Sequence, residues 1–266
     1  MSGLPVLGSD QPWAGGAFAA TVTCVLAPNP SPMTLDGTNT WILGNPGGDV
    51  IVVDPGPEDP GHLEAIVDRG HVAQILLTHG HPDHAEGARS LHDMTGAPVR
   101  ALDPAHRLGG EGLAAGTVIA VADAEVHVIA TPGHTADCVS FFLPAHSALL
   151  TGDTVLGRGT TVVAWPDGDL GDYLDSLTLL RDHSARTGAT AILPGHGPTL
   201  DDPVGVLDAY LAHRRARLDQ VRQALADGAR TPDDVVDAVY DDIPEAVRWA
   251  ALLSTRAQLA YLDARG

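Results

Sequence analysis

Short apolar runs punctuated by Gly, Pro and Asn dominate the first part of the chain. Residues 20–28 (ATVTCVLAP), 38–44 (TNTWILG) and 49–56 (DVIVVDPG) are rich in β-branched side chains and end on turn formers, which predicts successive strands of one sheet. The spacing changes over 60–70, where apolar residues at 63, 66 and 67 fit a helix face, and 71–80 is then an apolar strand running into a polar loop. A helix is predicted over about 84–95, followed by short strands near 98–101, 117–121, 126–130, 139–143 and 147–150. Apolar residues at 174, 177 and 180 place a helix over 171–184, and 189–197 returns as a strand. Strands alternating with helices and mixed with hairpin-like pairs predict an α/β sandwich, with any site built from loops at one edge of the sheets.

After about residue 204 the pattern becomes helical. One long amphipathic run ends at Gly228, a second helix opens with Thr231 as N-cap and Pro232 at its first position, and a third is predicted over 244–263. The chain therefore divides into a main unit, 1–204, and a helical tail, 205–266.

Composition narrows the function classes. The two cysteines, Cys24 and Cys138, are too few for a disulfide framework and read as buried thiols. Net charge is −19, and all 15 basic residues are arginine. Such a surface argues against tight nonspecific binding to a polyanion, so no stable duplex nucleic-acid partner is expected. With no stretch apolar enough to span a membrane and no basic, apolar leader, the expected location is cytoplasmic.

The chemistry is concentrated in Thr78-His79-Gly80-His81-Pro82-Asp83-His84, three imidazoles and a carboxylate within six residues. Nitrogen and oxygen donors of this kind suit Zn, Fe or Mn, and the lack of cysteine removes a Cys-type structural zinc site. Three further signals sit at predicted strand ends: Pro132-Gly133-His134-Thr135, Gly152-Asp153-Thr154 and Pro194-Gly195-His196-Gly197. Each alone is weak, but together with the first motif they form a seven-residue donor set.

This combination of HxHxDH, PGHT, GDT and PGHG resembles the metallo-β-lactamase superfamily from about residue 30 to the end of the chain. Residues 29–41 (NPSPMTLDGTNTW), with Gly152-Asp153-Thr154-Val155-Leu156-Gly157 and the helical tail, are similar to its β-lactamase-like protein 2 group. That group is related to glyoxalase II and includes an endoribonuclease acting on single-stranded RNA. The resemblance implies a four-layer αββα sandwich with a C-terminal helical, truncated winged-helix-like appendage. It also implies two Zn2+ per chain, with Fe or Mn as possible replacements: His79, His81 and His134 on the first ion, Asp83, His84 and His196 on the second, and Asp153 bridging. Two such ions sharing a hydroxide would cleave an ester-type bond, in RNA or in a thioester or other acyl small molecule, with Asp83 and Asp153 as the catalytic carboxylates. Two alternatives stay open: a mononuclear iron persulfide dioxygenase using His79, His134 and Asp153, and lactam hydrolysis as a side activity.

Around this set, Asn39 and Thr40 either contact substrate or turn a strand, and Arg158 is a candidate for an anionic substrate. Asp137 is expected either to hold a ligand imidazole or to cap a helix. Arg214, Arg215, Arg217 and Arg222 form either a solvated helix face or a phosphate-facing stripe. The remaining histidines, His62, His106 and His213 among them, read as surface or structural.

Overall fold

The predicted apolar runs pair into two six-stranded mixed sheets in a computed structural model that describes residues 11–240 and 243–265. The opening segment read above for targeting signals lies outside the described residues up to residue 10. The first sheet holds β1 (Gly16–Ala19), β2 (Val22–Leu26), β3 (Asn39–Leu43) and β4 (Asp49–Val53), then, after α1 (Pro60–Val67), β5 (His71–Leu76). Helices α2 (Pro82–Ala85) and α3 (Ala88–Thr95) precede its last strand, β6 (Val99–Arg100). The second sheet runs through β7 (Val118–Val121), β8 (Ala124–Ala130), β9 (Val139–Leu143) and β10 (Ala148–Gly152); α4 (Leu170–Thr187) then leads to β11 (Ala191–Pro194) and β12 (Leu200–Asp201). The tail is α5 (Pro203–Ala226), α6 (Pro232–Val239) and α7 (Arg248–Asp263).

Period-two alternation decides the layers. Trp41, Leu43, Ile51 and Val53 point inward and meet Val139, Phe141, Leu143 and Leu150 of the second sheet. Their neighbours Ile42, Val50 and Val52 point outward, under Leu63 and Ile66 of α1 and Leu91 of α3. On the opposite side Phe142, Leu149 and Ile192 are covered by Leu177 and Leu180 of α4 and by Leu207, Tyr210 and Leu211 of α5. Burial on both faces is why these strands read as continuous apolar runs. The expected αββα sandwich is therefore the observed one, and the start of α5 packs into the same outer layer as α4.

Three details differ from the sequence reading. The helix expected over 84–95 is two helices, because Gly87 lies against other backbone: a β-carbon there would come 2.9 Å from Pro57 O, and its own N–H donates to Gly56 O. Edge strands β1 and β12 were missed, being four and two residues long and only partly buried. The last helix starts at Arg248, with a 3-10 turn over Glu245–Val247 in place of its first turn.

Candidate metal centre

Every candidate ligand lies at one edge of the two sheets, in a loop or in the short helix α2. His79 follows β5, His81 caps α2, and Pro82 starts that helix so that Asp83 and His84 fall in its first turn. His134 sits between β8 and β9, while Asp153 and His196 follow the neighbouring parallel strands β10 and β11. The sheets are stitched at this edge, Val139 N–H donating to Thr78 O and Asn39 N–H to Gly195 O, each at 2.8 Å.

The seven donors separate into two triads. Ligand atoms of His79, His81 and His134 lie within 4.8 Å of one another, and so do those of Asp83, His84 and His196. In the first, His134 Nε2 is 3.1 Å from His81 Nδ1. In the second, His196 Nε2 is 3.1 Å from both His84 Nε2 and Asp83 Oδ2. Asp153 stands between: its Oδ1 faces His84 Nε2 at 3.4 Å and His196 Nε2 at 3.5 Å, and its Oδ2 faces His134 Nε2 at 3.8 Å.

Buried polar atoms nearly always find hydrogen-bond partners. Here His79 Nε2 and Asp153 Oδ1 have none. Both point into the cluster, and converging nitrogen and oxygen donors with unused lone pairs fit divalent cations. The outward nitrogens, by contrast, are held: His84 Nδ1 is 2.8 Å from Asp54 Oδ2, His134 Nδ1 donates to Val162 O at 2.6 Å, and His196 Nδ1 donates to Gly37 O at 3.1 Å. His79 Nδ1 lies 3.0 Å from Thr78 Oγ1, which donates to Asp54 Oδ2. Such partners fix the ring orientation and leave the inner nitrogens free to coordinate.

The metal-free electrostatics differ between the triads. Burial, reinforced by neighbouring imidazoles, holds His79 well below the usual histidine range, and burial also lowers His134. For His84 burial is outweighed by Asp153 and Asp54, which raise it well above that range. His196 is likewise raised to about 9, burial being overcome by Asp153 and Asp83. Burial would raise Asp153, yet His196 and His84 hold its carboxyl well below the ordinary range.

Asn39 and Thr40 are fully buried. Asn39 Nδ2 donates to Pro194 O and Gly197 O, so the residue braces the His196 loop from behind. Thr40 Oγ1 donates to Asp54 O and lies 2.9 Å from His62 Nε2. In this structure both residues brace neighbouring segments of the fold. Asp137 accepts from Thr135 Oγ1, and the partner expected of it for His134 is instead the Val162 carbonyl, which carries no sequence mark. Arg158 pairs with Asp36 and donates to Gln11 O. Sequence reasoning missed Asp54, although an aspartate closing the run DVIVVDPG was its available signal.

A cleft of about 310 Å3 opens from His134 and Asp153 toward the helical tail. Arg158, Leu35 and Leu156 form one side, and Arg214, Arg217 and Ile243 belong to the tail side. The four tail arginines do not share one stripe: Arg215 and Arg222 line a different groove beside Tyr261. Among the described residues, no helix is long and apolar enough to cross a membrane.

Residues 33–196 match the family model of the metallo-beta-lactamase superfamily. A beta-lactamase-like protein 2 homolog of Caenorhabditis elegans is 38% identical over 255 residues, covering 91% of this chain and 83% of that protein. The lactamase-like protein adaB of Aspergillus niger is 32% identical over 252 residues, covering 86% and 76%. The crystal structure of a metallo-beta-lactamase family protein from Thermus thermophilus superposes with a TM-score of 0.78 at 25% identity, covering 94% of this chain and 95% of that one.

Proposed function

The chain belongs to the metallo-β-lactamase superfamily, in its β-lactamase-like protein 2 group, and on that premise we propose that it is a hydrolase using two zinc ions per chain to cleave an ester-type bond, an RNA phosphodiester or a thioester or other acyl linkage. The observation that carries this reading is the pair of triads facing opposite oxygens of Asp153, with two buried donor atoms left unpaired. A single iron would use only part of that donor set.

His79, His81 and His134 would hold one ion, Asp83, His84 and His196 the other, and Asp153 both. When bound, the ions would supply Lewis acidity at the scissile carbonyl or phosphoryl oxygen and would make water a stronger acid. The protein's own contribution is to place and hold. Asp54, Gly37 O and Val162 O fix the imidazoles, and the cleft brings substrate to the His134 and Asp153 side. Asp83, whose side chain is 29% exposed against 11% for Asp153, is the ligand carboxylate placed to take the proton.

The test is metal content of the purified protein, together with turnover of a single-stranded RNA and of a small thioester by wild type and Asp153→Ala. Two zinc ions per chain and turnover abolished in the variant are expected, and the substrate consumed identifies the bond. One iron per chain with oxygen uptake would overturn the reading.

A further inference from the structure

The tail side of the cleft holds a buried cation that makes no ion pair among the described residues. Arg214, on α5, is 5% exposed and lines the same cleft as His134 and Asp153. Its guanidinium lies 4.9 Å from the centre of the Tyr173 ring, and Nη2 donates to Thr161 O at 2.5 Å. Nε is buried without a partner, and among the described residues no carboxylate forms an ion pair with Arg214. Next to it His213, also in the cleft wall, has a buried Nδ1 without a partner. Withdrawing a guanidinium from water without pairing it is unfavourable. A structure that keeps one at a ligand cleft has a place for an anion to arrive with the ligand.

We propose that Arg214 is the anchor for an anionic group carried by the substrate at a distance from the bond being cut. The cleft that Arg214 shares with His134 and Asp153 also has apolar walls, with Leu35, Leu156, Ile243, Val247 and Ala250. The substrate class is therefore a small acyl compound with an apolar body and a remote carboxylate or phosphate. A polynucleotide fits less well, because the arginines do not track a backbone: Arg215 and Arg222 lie on another groove, and Arg217 spends Nη1 on Gln220 and Val239 O. The anchor is held in register with the bridging carboxylate, since Thr161, whose carbonyl receives Arg214, donates through Oγ1 to Asp153 O. Only the assignment of the cleft's other end to the scissile bond rests on the two-zinc reading.

The experiment is calorimetric titration of the zinc-loaded protein with straight-chain dicarboxylic acids of five to nine carbons, as a series of about five probes, against monocarboxylic acids of the same lengths. Phosphono-carboxylic acids of equal length form a third arm that separates carboxylate from phosphate recognition. At one length the doubly anionic probe is expected to bind about 10-fold or more tighter than its monoanionic partner, the scale of a charge-assisted Arg contact. Arg214→Gln removes that preference, and Arg214→Lys restores part of it. No preference at any length in the wild type overturns the proposal without recourse to a variant, as does an undiminished preference in folded Arg214→Gln. Metal counted on the purified protein before zinc loading keeps the readings apart: two zinc ions with no preference sinks the anchor alone, and a preference in protein that purifies with one iron sinks the two-zinc reading alone.

Discussion

Asp54 Oδ2 lies 2.8 Å from His84 Nδ1, with the two side chains 2% and 0% exposed. The same carboxylate accepts from Thr78 N–H and Thr78 Oγ1, each at 2.7 Å, so one residue braces the loops that carry His79 and His84. Asp54→Ala strips three donors of their acceptor. Loss of such support weakens metal binding by about 10- to 100-fold. The ion at Asp83, His84 and His196 is expected to be lost first, as a competition titration with a chromophoric chelator would show. Two ions at wild-type affinity would remove Asp54 from the account.

Proton release should order the two sites. In the metal-free protein burial lowers His79 and His134, so at neutral pH both are ready to coordinate. Across the centre, Asp153 and its acidic neighbours overcome burial and keep a proton on the His84–His196 pair. The first equivalent of zinc at pH 7 is expected to enter without displacing a proton from His79 or His134, and the second to release at least a fraction of one. The value of about 9 for His196 exceeds its free value of 6.5, so in the metal-free fold its proton contributes stability that is complete below pH 6.5 and lost as pH rises through about 9. Calorimetry in two buffers of different ionisation enthalpy reads the protons; release on the first equivalent instead of the second would contradict the ordering.

What the sequence disclosed was set by how each residue does its work. The seven candidate donors were legible because few side-chain types can coordinate a metal, and close spacing within HxHxDH is rare by chance. The sandwich was legible because strands buried on both faces leave long apolar runs, as in 49–53 and 139–143. The carbonyls of Val162 and Gly37 were not, since any residue type offers one. Arg214 is the instructive case: on α5 it reads as one of four arginines on a polar face, and only the path of α5 over α4 separates it from exposed Arg215.

Gly195 should be irreplaceable for reasons of space. A β-carbon there would stand 2.6 Å from Asp153 Oδ1 and 2.7 Å from His84 Cε1. Gly195→Ala therefore pushes on the Asp153 carboxylate itself, with overpacking of about 1–3 kcal/mol. The expected variant keeps its far-ultraviolet circular dichroism but binds fewer than two zinc ions per chain. Full metal content together with wild-type turnover would show that the loop yields more easily than its packing suggests.

Tyr210 ties the tail to the wall of the cleft. Its hydroxyl receives Leu156 N–H at 2.9 Å and donates among the carbonyls of Leu156 and Gly159, at 3.2 and 3.1 Å. The ring is fully buried, and burial raises the phenol above its ordinary range, so it remains a neutral donor at working pH. Tyr210→Phe keeps the ring's packing and leaves Leu156 N–H without its acceptor, a loss of about 1–3 kcal/mol. At about 2–4 °C per kcal/mol for a chain of this size, the melting temperature should fall by several degrees. Because the freed loop leads from Asp153 to Arg158, kcat/KM should fall along with it. A lowered melting temperature with unchanged kcat/KM would mean that α5 stabilises the sandwich without shaping the cleft; unchanged values of both would remove this contact from the account of how the tail supports the site.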